Sequence, residues 1–88
     1  MTARFTPPLR ILNRDALVAY LATSRRTLHR RIEDGLFPPG FPINGNRLGW
    51  LEREAQDAAA LLASKATDAA TRKWVRNAVA ARKRLRKG

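Results

Sequence analysis

A chain of 88 residues with no cysteine, 18 lysines and arginines, 7 acidic residues and a formal net charge of +11 narrows the options at once. One small domain with some tail is expected at this length, with a modest core and few buried polar groups. The absence of cysteine excludes disulfides and thiolate metal sites, and so high a charge draws the chain toward polyanions: nucleic acid, an acidic membrane surface or an acidic protein.

The charge is unevenly placed. Residues 1–14 carry +3, residues 15–35 carry +1, residues 36–50 carry only Arg47, residues 51–70 sum to −2, and residues 71–88 carry +8 with no acid. The basic centres are therefore the arginines at 25–31 and the C-terminal end. The start, MTARFTPPLRILNRD, has no apolar run of signal-peptide length. The longest unbroken apolar stretch, Ala58 to Ala63, is far too short to span a bilayer. The expectation is a soluble cytoplasmic protein, nucleoid-associated, with no membrane partner.

In chain order, residues 1–8, with their Thr-Pro-Pro, read as a flexible arm. Asn13 is placed to cap a helix whose first turn includes Asp15, an acid at the positive helix end. Leu17, Tyr20 and Leu21 fall at i, i+3, i+4, one apolar stripe. Ser24, with Thr23 as the alternative, caps a second helix through SRRTLHRRIEDG. Gly35 stops it, and FPPGFP forbids its continuation. Two short helices joined by a tight turn make a helix-turn-helix candidate.

FPINGNRLGW then places Asn44-Gly45 between Ile43 and Leu48, a strong hairpin signal, with strands near 41–43 and 47–50. After Trp50, Leu51, Ala55, Ala58 and Leu62 form a helical stripe, with Glu52 and Glu54 in the first turn. SKATDAAT reads as a break, a linker or a continued helix. The last segment is helix-friendly, with Trp74, Ala78, Ala81 and Leu85 as its stripe.

The second helix has two faces. With Leu28 at zero on a wheel of about 100° per residue, Ile32 lies roughly 40° away and Arg26 and Arg30 fall roughly opposite. Arg25, Thr27 and His29 flank them. Residues near the start of such a helix reach base edges in the major groove, and arginine's planar fork pairs with guanine O6 and N7. The plain alternative is a solvated charged face. Arg31 falls at the edge of the core face, where its stem packs and its head snorkels. His29, the single histidine, is either a DNA contact or surface.

The turn residues Asn44, Gly45, Asn46 and Arg47 suit a minor groove, whose narrow form attracts arginine; the alternative is an ordinary polar turn. Phe37 and Trp50 read as core anchors. Arg72, Lys73, Arg76, Arg82, Lys83, Arg84, Arg86 and Lys87 supply a basic segment for phosphates or a neighbouring protomer, with Trp74 anchoring it against the core or a neighbour. A disordered basic tail is the alternative there.

The order of these elements resembles the AlpA-like and excisionase group of phage and mobile-element DNA-binding proteins, compact relatives of the MerR-type winged helix-turn-helix. The resemblance covers about residues 11–63. It rests on LVAYLATSRRTLHRRIEDGLFP followed by INGNRLGWLEREAQDAAALL. Within these, Ser24, Arg25, Thr27, Leu28, His29, Arg30, Gly35, Phe37, Pro38, Gly45, Arg47, Gly49 and Trp50 match the group's pattern. The chain departs from it where His29 replaces a usual tyrosine, Arg31 occupies a commonly apolar position, and Ala22 stands where the turn often has glycine. The wing after Arg47 is also a residue shorter than many.

The resemblance implies a mostly α-helical fold with a small β-hairpin and a winged helix-turn-helix over residues 9–65; the basic, partly helical extension expected over 66–88 lies outside it and rests on the residues alone. It implies a recognition helix using Ser24, Arg25, Arg26, Thr27, His29 and Arg30, and a wing of Asn44, Gly45, Asn46 and Arg47. The expected partners are double-stranded DNA, further copies side by side along it, and a site-specific integrase. The expected job is that of an excisionase, a recombination directionality factor that binds and bends attachment-site DNA. An AlpA-like transcriptional regulator is the alternative, and a basic module docking on an acidic protein, a lipid surface or RNA the more distant one. There is no paired-carboxylate, nucleophile–base, phosphate-loop or metal constellation, so no enzyme, metal, cofactor or small-molecule ligand is expected.

Overall fold

A computed structural model of the chain describes residues 9–85. The arm expected over residues 1–8 and the cations Arg86 and Lys87 lie outside the described residues. The elements run β1 (Ile11–Asn13), α1 (Arg14–Tyr20), α2 (Arg25–Glu33), β2 (Phe41–Asn44), β3 (Arg47–Leu51), α3 (Glu52–Ala63) and α4 (Asp68–Leu85). The architecture is mostly helical, with one three-stranded antiparallel sheet in the order β1-β3-β2. Among the described residues no helix is long and apolar enough to cross a membrane.

Strand β1 is an addition to the sequence-based expectation. It pairs Ile11 with Leu51, Leu12 with Trp50 and Asn13 with Gly49. The Glu52 N–H continues the ladder to the Arg10 carbonyl at 2.8 Å. The expected hairpin is present, with β2 running one residue further than expected, to Asn44. Asn44 pairs with Arg47, so Gly45 and Asn46 form the loop. Gly45 has φ +58° and Asn46 is not among the positive-φ residues, the pattern of a II′-type loop with glycine first. Ile43 is a bulged residue between the pairs Pro42–Leu48 and Asn44–Arg47. It folds over Gly49 together with Ile11; a Cβ at Gly49 would lie 2.6 Å from Ile43 Cδ1 and 2.7 Å from Ile11 Cγ2.

The helix caps follow the sequence. Asn13 Oδ1 accepts the Ala16 N–H at 2.8 Å, and Ser24 Oγ accepts the Thr27 N–H at 3.1 Å. Helix α2 closes with Gly35 at φ +77°, the Gly35 N–H on Ile32 O at 3.1 Å and the Leu36 N–H on Arg31 O at 2.8 Å. This is a Schellman arrangement, whose left-handed residue glycine adopts freely. Helices α1 and α3 close in the same way around Ala22 (φ +53°) and Lys65 (φ +57°), each bearing a Cβ. The first half of SKATDAAT, residues 64–67, is a break, and its second half already belongs to α4. Thr67 restarts the chain by accepting the Ala70 N–H on its hydroxyl at 3.1 Å.

Leu12, Leu17, Leu28, Phe37, Trp50, Ala55 and Ala58 form the core. Trp50 Nε1 donates to the Pro38 carbonyl at 2.9 Å, so the indole is buried with its one polar group satisfied. Three expected stripes shift. On α1, Tyr20 is exposed and Val18 packs against the core with Leu17 and Leu21. On α3, Leu62 is exposed in the last turn. On α4, Trp74 and Ala78 face inward as expected, Ala81 and Leu85 are exposed, and Thr71, Val75, Val79 and Arg82 complete the inward side.

Candidate nucleic-acid interface

The start of α2 carries the exposed donors. Ser24 and Thr27 are engaged in the cap: Ser24 Oγ also donates to Thr27 Oγ1 at 3.0 Å. Arg25, Arg26 and His29 rim a cleft of about 670 Å³ whose floor includes Leu28, Leu48 and Trp50. Arg14, from the first turn of α1, joins this rim. A smaller adjoining cleft, about 180 Å³, brings Arg14, Asp15 and Arg25 together with Asn46 and Arg47 of the hairpin turn. The starts of α1 and α2 and the β2–β3 turn thus converge on one concave, arginine-rich surface.

Of the residues expected to act here, the structure gathers Arg25, Arg26, His29, Asn46 and Arg47. Thr27 lines a separate hollow beside Ala22 and Phe37. Arg30 is exposed but borders neither cleft, and Asn44 and Gly45 stand at the exposed turn outside both. Arg14 was not singled out by the sequence. It reads as an ordinary first-turn residue until β1 pairs with β3 and sets the start of α1 beside the hairpin.

Two of these cations have acidic neighbours. Arg25 is paired with Asp15, and His29 Nε2 lies 3.1 Å from Glu33 Oε2, one turn along the same helix. Both pairs are open to water, where such contacts contribute little to stability.

The C-terminal cations divide into two groups. Lys73, Arg76, Lys83 and Arg84 lie on the exposed side of α4. Arg72 is tied to the fold, its Nε donating to the Asp34 carbonyl at the end of α2 at 3.0 Å, where a cation complements the helix dipole. Arg82 departs from the expected phosphate-binding role. Its Nε and Nη2 bind Glu54 and its Nη1 donates to the Pro39 carbonyl at 2.8 Å, so it faces inward. Trp74 anchors the helix on the core, its ring edge-on to Phe37 with centroids 6.2 Å apart. Helix α4 is therefore docked on the remainder through these side chains.

Among the described residues no three His, Cys, Asp or Glu side chains stand together to hold a metal ion. Compared with protein-family models, with curated proteins and with solved structures, the chain has no match.

Proposed function

We propose that this chain is a sequence-specific double-stranded DNA-binding protein in which α1, its turn and α2 act as a helix-turn-helix and the β2–β3 hairpin as its wing. The observation that carries this reading is the convergence of Arg14, Arg25, Arg26 and His29 with Arg47 on one concave surface. A helix start placed this way suits a major groove, where Arg26 offers its fork to guanine. Arg47 at the hairpin turn suits the neighbouring backbone or minor groove. Lys73, Arg76, Lys83 and Arg84 extend the phosphate-binding surface along α4.

The resemblance to excisionases supplies the biological step. The chain binds and bends attachment-site DNA, copies align side by side, and a site-specific integrase is biased toward excision. Footprinting on attachment-site DNA, followed by an excision assay with a site-specific integrase and its attachment sites, tests both levels. Protection of a defined site with stimulated excision supports the full reading. Protection at a promoter without any effect on excision favours a transcriptional regulator using the same surface. Uniform protection of any duplex overturns sequence-specific recognition.

A further inference from the structure

Arg25 and Asp15 meet across the junction of α1 and α2. Arg25 Nε and Nη2 both donate to Asp15 Oδ1, the Nε contact at 3.1 Å. The two side chains are 62% and 72% exposed, so folding gains little from the pair. Its place is more telling than its strength. Asp15 is the one acid lining the small cleft that also holds Arg14, Arg25 and Arg47. Among the described residues, Arg14, Arg26 and Arg47 have no acidic partner within ion-pair distance.

The geometry divides the guanidinium. Nε and Nη2 form its side-on edge, and Asp15 covers that edge. The end-on edge, one N–H each from Nη1 and Nη2, has no further hydrogen-bond partner among the described residues, and it matches the O6 and N7 acceptors of guanine. A phosphate competing for Arg25 has to displace a carboxylate and approach its negative charge. A guanine edge carries no net charge and meets the open fork with the pair intact.

We propose that Asp15 is a specificity-determining residue: it withholds Arg25 from phosphate and presents the end-on fork to a base. The inference rests on the DNA-binding reading above. Asp15 lowers affinity for arbitrary duplex and thereby widens the gap between chosen and random sequence, a form of selection against the wrong partner.

The test uses the full chain and two duplexes, one enriched by the wild-type protein from a random-sequence library and one scrambled from it. Binding is followed by fluorescence anisotropy over a series of salt concentrations. Asp15→Asn is expected to bind the scrambled duplex several-fold more tightly. Its log–log salt slope on that duplex should steepen by about 0.9, one additional phosphate contact. The ratio of selected to scrambled affinity should fall about fivefold or more, within the discrimination expected of one bidentate base contact. Arg25→Lys, which keeps the charge and loses the fork, should show the same fall in the ratio. If Asp15→Asn keeps the wild-type ratio and slope, the proposal is overturned while the DNA reading stands. If the wild type enriches no sequence, both are overturned.

Discussion

Arg82 of α4 and Glu54 of α3 form a bidentate ion pair across 28 residues of sequence, Nε to Oε2 and Nη2 to Oε1, each at 2.7 Å. Glu54 is 3% exposed and also accepts the Leu51 N–H at 3.2 Å. The Arg82 guanidinium lies 5.0 Å from the centre of the Phe41 ring and reaches the Pro39 carbonyl. One arginine therefore ties α4 to α3, to β2 and to the loop before it. This makes the basic helix a fixed part of the molecule, with Lys73, Arg76, Lys83 and Arg84 turned outward.

Removing one partner leaves a buried charge with no counterion, which costs roughly 3–5 kcal/mol. Arg82→Met should accordingly lower Tm by more than about 10 °C in a domain of this size. Glu54→Leu combined with Arg82→Met should recover most of that loss, because an apolar pair needs no compensating charge. Thermal melts of the two single variants and the double variant measure the coupling. A single variant melting with the wild type would show that the pair contributes nothing to the docking of α4.

The helix ends suggest an opposite effect. Ala22 and Lys65 occupy the left-handed positions that close α1 and α3, as Gly35 does for α2. A side chain in that conformation costs about 1–2 kcal/mol, and glycine returns part of the gain, about 0.4–1 kcal/mol, through a freer unfolded chain. Ala22→Gly and Lys65→Gly should each stabilise by about 0.5 kcal/mol, and Gly35→Ala should destabilise by about 1 kcal/mol. Chemical denaturation with unchanged m-values checks all three.

These features also show what the sequence makes visible. Asn13, Ser24 and Gly35 act on backbone groups within a few residues, so their roles are local and can be read directly. The hairpin is equally local, and only its extent differs: β2 takes in Asn44, and the loop shortens to Gly45 and Asn46, where glycine supplies the positive φ of the first loop position. Strand β1 is three residues long and has meaning only against β3, some 38 residues later. The Arg82–Glu54 pair is hidden for a related reason. A charged residue on a buried row spoils an apolar stripe unless its distant partner is known, so the α4 sequence shows Trp74, Ala78, Ala81 and Leu85 as its stripe and hides Arg82. Tyr20 and Leu62 fit a helical period yet sit where their helices end. Arg14 joins the clefts only through the tertiary pairing of β1.

The exposed side of α4 has its own prediction. Lys73→Gln, Arg76→Gln, Lys83→Gln and Arg84→Gln combined should leave Tm within about 2 °C of wild type, since exposed charges contribute little to folding. Each phosphate contact removed should flatten the salt slope by about 0.9. Affinity for selected and scrambled duplex should drop by a similar factor, because phosphates carry no sequence information. An unchanged slope would place α4 away from the nucleic acid.

Arg47→Ala tests the hairpin turn separately. If Arg47 works beside Arg14 and Arg25 in the small cleft, its loss should weaken duplex binding by about 1–2 kcal/mol while Tm holds. Titration by anisotropy beside a melt measures both. Binding equal to the wild type would reduce the hairpin to a structural element.

The most direct measurement concerns Arg26, which rims the large cleft and has no acidic partner among the described residues. Arg26→Ala is titrated against the selected and the scrambled duplex at one salt concentration. The account predicts a loss of about 1–3 kcal/mol on the selected duplex and much less on the scrambled one, as for a side chain that pairs with a base. Equal losses on both duplexes would contradict it and make the α2 surface an electrostatic patch that does not read sequence.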